Sequence, residues 1–214
     1  VVPKSAMLQW QSEMKEHFAE NFFIYDSDLI TSMAKTFASF DAEEELNFWR
    51  QHNQIIVSID ALKPIESRQG WNQERVDAYN KYRLEMVVNA DFDMVIIDEA
   101  HRMGGSSTSV SRFKMAEVLC NAVPNLLLLT ATPHRGKSDH FRRLLQLMDA
   151  DAFSGEGMPC IEDIQPYVMR SEKRFAVDYD GKKLFNERTT VRLDVLLDPI
   201  RHAAQIALYD HITD

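Results

Sequence analysis

Three apolar residues, Val95-Ile96-Ile97, lead directly into Asp98 and Glu99, followed by Ala100 and His101. Consecutive side chains at a strand end point in different directions, so two neighbouring carboxylates there can serve two roles. Asp98 suits a Mg2+ ion held through its water shell. Glu99 suits orientation and deprotonation of a water that attacks a phosphate. A purely structural role is also open, because acids at a helix N-terminus offset the helix dipole. Two more apolar runs end in polar residues. Leu126 to Leu129 runs into Thr130-Ala131-Thr132-Pro133, and Ile55-Ile56-Val57 runs into Ser58-Ile59-Asp60.

The stretch ATPHRGKS, residues 131–138, fits a loose phosphate-loop pattern between a strand and a helix. Two features argue against it. The stricter loop wants Gly where Ala131 stands, because the backbone must wrap the phosphates. Pro133 also removes one backbone N–H from the cradle. Arg135 and Lys137 then read as surface residues near nucleic acid. No other Gly-Lys-Ser or Gly-Lys-Thr occurs in the chain. His101, His134, His140 and Cys160 lack the tight ligand spacing of a zinc site. Trp10, Trp49 and Trp71 read as core or half-buried anchors rather than base-stacking platforms.

These residues need elements to position them. Met7, Trp10, Met14 and Phe18 recur at helical spacing, with Ser5 as a candidate cap. Phe22 to Tyr25 is a short apolar run, and residues 28–51 look largely helical with a solvated acidic turn at Asp41 to Glu45. Strands are expected over 54–60, 93–98 and 125–132, and helices over 74–88, 111–122 and 138–148. Continuous apolar strands alternating with helices indicate an α/β fold with a parallel sheet covered on both faces. Function then collects at the carboxyl ends of the strands, where all three polar endings lie. Beyond Phe153 the pattern changes. Residues 154–160 read as a loop, Asp180-Gly181 as a turn, 189–197 as a strand with one wet face, and 199–213 as a helix.

Asp98-Glu99-Ala100-His101 after its apolar strand resembles motif II of superfamily-two helicases and translocases. Thr130-Ala131-Thr132-Pro133, 32 residues on (130 − 98), resembles their motif III. Pro3 with Leu8-Gln9-Trp10 and Glu13 is similar to motif Ia of the Swi/Snf-like branch, and residues 56–60 to its motif Ib. Residues 167–174, YVMRSEKR, look like the basic segment after the first lobe. Residues 208–213, LYDHIT, look like the helix that leads toward the second. Thr-Ala-Thr-Pro fits the bacterial side of the branch, with its polymerase-associated translocases and phage-defence helicases. The resemblance implies an incomplete first RecA-like lobe over 1–153, with a connecting segment over 154–214. It implies ATP and Mg2+ as cofactors in a longer parent, with Asp98 on the metal, Glu99 as catalytic base and His101 linking to motif III. Thr130, Ala131, Thr132 and Pro133 would couple hydrolysis to DNA contact, and Pro3, Lys4, Ser58 and Arg135 would touch nucleic acid. The partners implied are duplex DNA, a second RecA-like lobe and a protein such as a polymerase or defence complex. The phosphate loop of the family precedes motif Ia, so the 214 residues alone are expected to be inactive. A non-catalytic lobe that binds nucleic acid or protein is the alternative, and a standalone phosphate-loop enzyme using 131–138 is a further one.

Bulk properties set limits. Residues 1–97 carry 9 Lys+Arg against 16 Asp+Glu, and residues 98–214 carry 15 against 17, giving −7 and −2. The overall field does not favour a polyanion, so any nucleic-acid contact must use local basic patches. His134 to Lys137 with Arg142-Arg143, and Arg170 with Lys173-Arg174, are candidates; solvated surface charge is equally open to both. Cys120 and Cys160 form no disulfide framework, which fits a reducing cytoplasm. No apolar run approaches the roughly 18 residues of a membrane span. The missing initial Met suggests a piece of something longer.

Overall fold

In a computed structural model the apolar runs become four short strands. The structure describes residues 1–38, 47–104, 111–132, 138–155, 157–172, 175–186, 189–191, 198 and 201–213. The strands are β1 (Phe23–Tyr25), β2 (Ile55–Val57), β3 (Met94–Ile97) and β4 (Asn125–Leu128). Helices are α1 (Met7–Phe18), α2 (Ser27–Ala38), α3 (Ile59–Leu62), α4 (Gln73–Val88), α5 (Ser111–Asn121), α6 (Ser138–Met148), α7 (Ile161–Ile164) and α8 (Ala203–Thr213). The chain divides into two compact units, Val1–Val168 and Met169–Asp214.

β1 pairs parallel with β2, Phe23 facing Ile55, and β3 pairs parallel with β4, Met94 facing Asn125. Parallel neighbours require crossover connections, and helices supply them. Two residues join the pairs. Val2 N–H donates to Val57 O at 3.0 Å and Val2 O accepts from Ile59 N–H at 3.1 Å. On the other side, Val1 N donates to Ile96 O at 2.6 Å, and Val1 O accepts from Asp98 N–H at 2.9 Å. Val1-Val2 is thus a minimal middle strand, and the order across the first unit is β1, β2, Val1-Val2, β3, β4.

The pleat sends alternate residues to opposite faces. Tyr25, Val57, Val95 and Ile97 join Met86 and Val87 of α4 and Met115, Ala116 and Leu119 of α5 in the main core. Val2 and Ile56, with Ile24, pack instead against Met7 and Trp10 of α1. Helices therefore cover both faces at β1–β2. At β3–β4 the α1 face is open among the described residues: Met94 is 53% exposed and Leu127 43%.

Local chemistry explains most boundaries. The Asn72 side chain accepts from Arg75 N–H and caps α4. Ser5 does not cap α1. Pro3 has a fixed φ and no N–H, and it opens a 3-10 turn over Lys4–Ala6 in which Ala6 N–H bonds back to Pro3 O at 2.9 Å. The helix then starts after Ala6 without a side-chain cap. Phe141, Leu145 and Phe153 form a smaller core with Ile164, Tyr167 and Val168, which carries the first unit past the pattern change at Phe153. In the second unit an antiparallel bridge, Val177 to Lys183, closes around Gly181 at φ +78. The acidic turn 41–45 and residues 192–197 of the expected strand lie outside the described residues.

Candidate active site at the carboxyl edge

The carboxyl ends of β2, β3 and β4, with the Val1-Val2 stub, bring Ser58, Pro3, Asp98 and Thr130 to one edge. At its centre the Asp98 carboxylate is held from two sides. Its Oδ1 accepts from Glu99 N–H at 2.8 Å, and its Oδ2 accepts from the Trp10 indole N–H at 2.9 Å. Each oxygen retains lone-pair capacity. The carboxylate is only partly buried, so a hydrated cation can reach it.

Glu99 sits at φ +50, a left-handed conformation rare for a non-glycine residue. The surrounding hydrogen bonds hold it there. Its N–H is committed to Asp98, and the next N–H, that of Ala100, donates across to Leu129 O at 2.9 Å. The chain turns sharply at Glu99 and enters a 3-10 turn over Ala100–Arg102. Such enforced backbone strain is characteristic of functional positions.

That turn drops His101 into the interior, where it is 5% exposed. Its Nδ1 lies 3.0 Å from Glu99 Oε2 and 3.1 Å from Thr130 Oγ1. In the tautomer that carries a proton on Nδ1, Glu99 accepts it, because a carboxylate only accepts. Thr130 Oγ1 accepts in turn from Thr132 N–H at 3.2 Å. A continuous polar chain runs from Glu99 through His101 to the segment after β4. Behind it the backbone is close-packed. A Cβ at Gly104 would meet His140 O at 3.0 Å, and Arg143 Nε donates to Gly104 O.

The structure thus assembles Asp98, Glu99, His101, Thr130 and Thr132 into one connected group. Ala131 is exposed beside it, while Pro133, Arg135 and Lys137 lie outside the described residues. At the nucleic-acid positions, Lys4 is exposed and Pro3 is buried. Ser58 is 3% exposed, and its hydroxyl is turned inward, accepting from Ala61 N–H at 3.1 Å as the cap of α3. Asp60, after it, pairs with Arg112 at 3.1 Å. Helical spacing marks Trp10 only as an apolar anchor and misses its bond to Asp98. The signal for that bond is the N–H that a half-buried indole must satisfy.

Among the described residues no cluster of three His, Cys, Asp or Glu side chains is placed to hold a metal directly. Asp98, half-buried with lone-pair capacity left on both oxygens, suits a Mg2+ ion bound through water. Cys120 is buried in the core, which raises its thiol pKa to about 12, and Cys160 is exposed.

Comparison with known proteins is consistent with this geometry. The family described as SNF2-related domain matches residues 1–157. The RNA polymerase-associated protein RapA of Actinobacillus succinogenes is 34% identical over 155 residues, and that of Erwinia tasmaniensis is 34% identical over 155. RapA of Yersinia pestis is 33% identical over 156. Each match covers 72% of this chain and 14% of the relative, so the chain spans about a seventh of the length of these proteins.

Proposed function

Since this chain belongs to the SNF2-related domain family, we propose that it supplies the catalytic carboxylates of an ATP-driven motor that moves on duplex DNA. The observation that carries this reading is the connected group Asp98–Glu99–His101–Thr130, built at the carboxyl edge of parallel strands. When bound, ATP and Mg2+ supply a γ-phosphate open to attack by water. Asp98 would hold the metal, its carboxylate fixed by the Trp10 indole and the Glu99 amide. Glu99 accepts the proton of the attacking water. His101 keeps the Glu99 carboxylate in place and ties its position to Thr130, so a change at the nucleotide reaches the segment after β4.

Nucleic acid lies, in this reading, along the same edge. Lys4 and the turn after Ser58 face it. The catalytic unit also needs a phosphate loop and an arginine finger from a second RecA-like lobe, which these 214 residues do not contain. The relatives are named as RNA polymerase-associated, which supports a transcription-linked protein partner and a cytoplasmic setting for this chain. No described helix is long and apolar enough to cross a membrane.

The test is ATP turnover with and without duplex DNA, on these 214 residues and on a longer protein carrying them with a phosphate loop and second lobe. Turnover by the longer protein alone, stimulated by duplex, is expected. Turnover by the 214 residues alone contradicts the reading and points to residues 131–138 as a working phosphate loop.

A further inference from the structure

Outside the catalytic group, the densest aromatic and cationic cluster of the described residues lies between α3 and the first turns of α4. The Arg68 guanidinium sits 4.5 Å from the centre of the Trp71 ring, and that of Arg75 sits 4.6 Å from the same ring. Trp71 is braced edge-on by Tyr79, with centroids 5.3 Å apart at 86°. The base of the cluster is pinned. Arg83 lies 5.5 Å from the Tyr79 ring and donates to Ala61 O, and the Asn80 side chain bonds both N–H and C=O of Ile65. Two like charges share one indole, an arrangement that costs repulsion unless an anion joins them.

The two arginines differ from their neighbours in being unspent. Both are exposed, and among the described residues neither guanidinium makes an ion pair or donates a hydrogen bond. Arg50, Arg112 and Arg83 are all committed to carboxylates or carbonyls. The local charge also departs from that of the chain. Residues 63–83 carry five Lys+Arg against three Asp+Glu, or +2, in a protein of −9. The crossover from β2 starts at Ser58 on the carboxyl edge, and Arg68 to Arg75 lie before and within the first turn of α4, which runs back from that edge. The cluster thus belongs to the edge of the proposed nucleic-acid contact.

We propose that Arg68 and Arg75, seated on Trp71, form a clamp for the phosphate backbone of the nucleic acid. The inference rests on the nucleic-acid reading above and adds to it the residues that carry backbone affinity. A guanidinium held flat on an indole keeps its donors outward and loses little freedom on binding phosphate. With both arginines over it, the indole serves as their seat and is not offered to a base.

The experiment titrates the unsubstituted chain and three variants with a fluorescent duplex across a series of salt concentrations, after melting curves show that each is folded. Arg68→Ala with Arg75→Ala should lower affinity roughly ten-fold at low salt. The same change should reduce the slope of log affinity against log salt by about 1.8, the loss of two phosphate contacts. Trp71→Leu removes no charge and should lower affinity about three-fold by freeing the guanidinium groups. Arg201→Ala, in the other unit, should leave the slope unchanged. Unchanged affinity and slope in the double variant, with the unsubstituted chain binding well, would overturn the clamp alone. No binding by the unsubstituted chain would overturn the nucleic-acid reading and the clamp with it.

Discussion

The geometry of Asp98 depends on a residue 88 positions away. The Trp10 indole fixes one carboxylate oxygen, and the Glu99 amide fixes the other. Trp10→Phe keeps the ring packing and removes the N–H. In a longer protein that hydrolyses ATP it should lower kcat about ten-fold and raise the Mg2+ needed for half-maximal rate. That corresponds to about 1.4 kcal/mol, the scale of one hydrogen bond to a charged group. Unchanged kcat and metal requirement would show that the contact does not matter. The acids and the histidine of the site were legible in the sequence, since their types and spacing state their chemistry. The αL turn at Glu99 and the Trp10 contact were not, because each depends on where a distant chain segment lies.

At the scale of elements, the helices with strong end signals were the most legible. α4 carries an Asn cap and α6 a strongly amphipathic pattern, and both fall within a residue of expectation. The joining role of Val1-Val2 was invisible, because two residues have no periodicity. That joint has a consequence. Beyond the reach of Val1, β2 and β3 flank a groove of about 630 Å3 lined by Ile55, Ile56, Met94, Ile96, Trp10 and Phe22 among others. Its backbone edges and apolar walls fit one more extended strand. Four β-branched apolar residues added before Val1 should raise Tm by about 5–10 °C, as their side chains fill the apolar walls and favour extended backbone, contributing a few kcal/mol. A Gly-Ser extension of equal length should not. Equal melting of the two would contradict the strand slot. The open α1-side face at β3–β4 was also beyond sequence reasoning, since Met94 and Leu127 are apolar like their buried neighbours.

At the scale of the molecule, the family and the parallel α/β architecture were readable because three strand endings agreed with one another. No single motif would have sufficed, as ATPHRGKS illustrates. If the nucleotide is held by a phosphate loop outside these residues, Lys137→Ala leaves the nucleotide affinity of the longer protein within about two-fold, below the ~10-fold change that one lost charge-assisted phosphate contact brings. A loss of ten-fold or more would restore 131–138 as the phosphate loop. The charge of the whole, −9, works against a polyanion, so the proposed nucleic-acid contact requires local groups such as Arg68 and Arg75, and its affinity is predicted to depend strongly on salt.

Above all, Glu99 is proposed as the base of an ATP hydrolase whose nucleotide is bound elsewhere. The direct measurement is single-turnover hydrolysis together with ATP affinity for Glu99→Gln in the longer protein. The amide keeps the shape and the chain turn but cannot take a proton, so hydrolysis should fall at least a hundred-fold with affinity unchanged. Hydrolysis at the unsubstituted rate would contradict the role of Glu99 and the motor built on it.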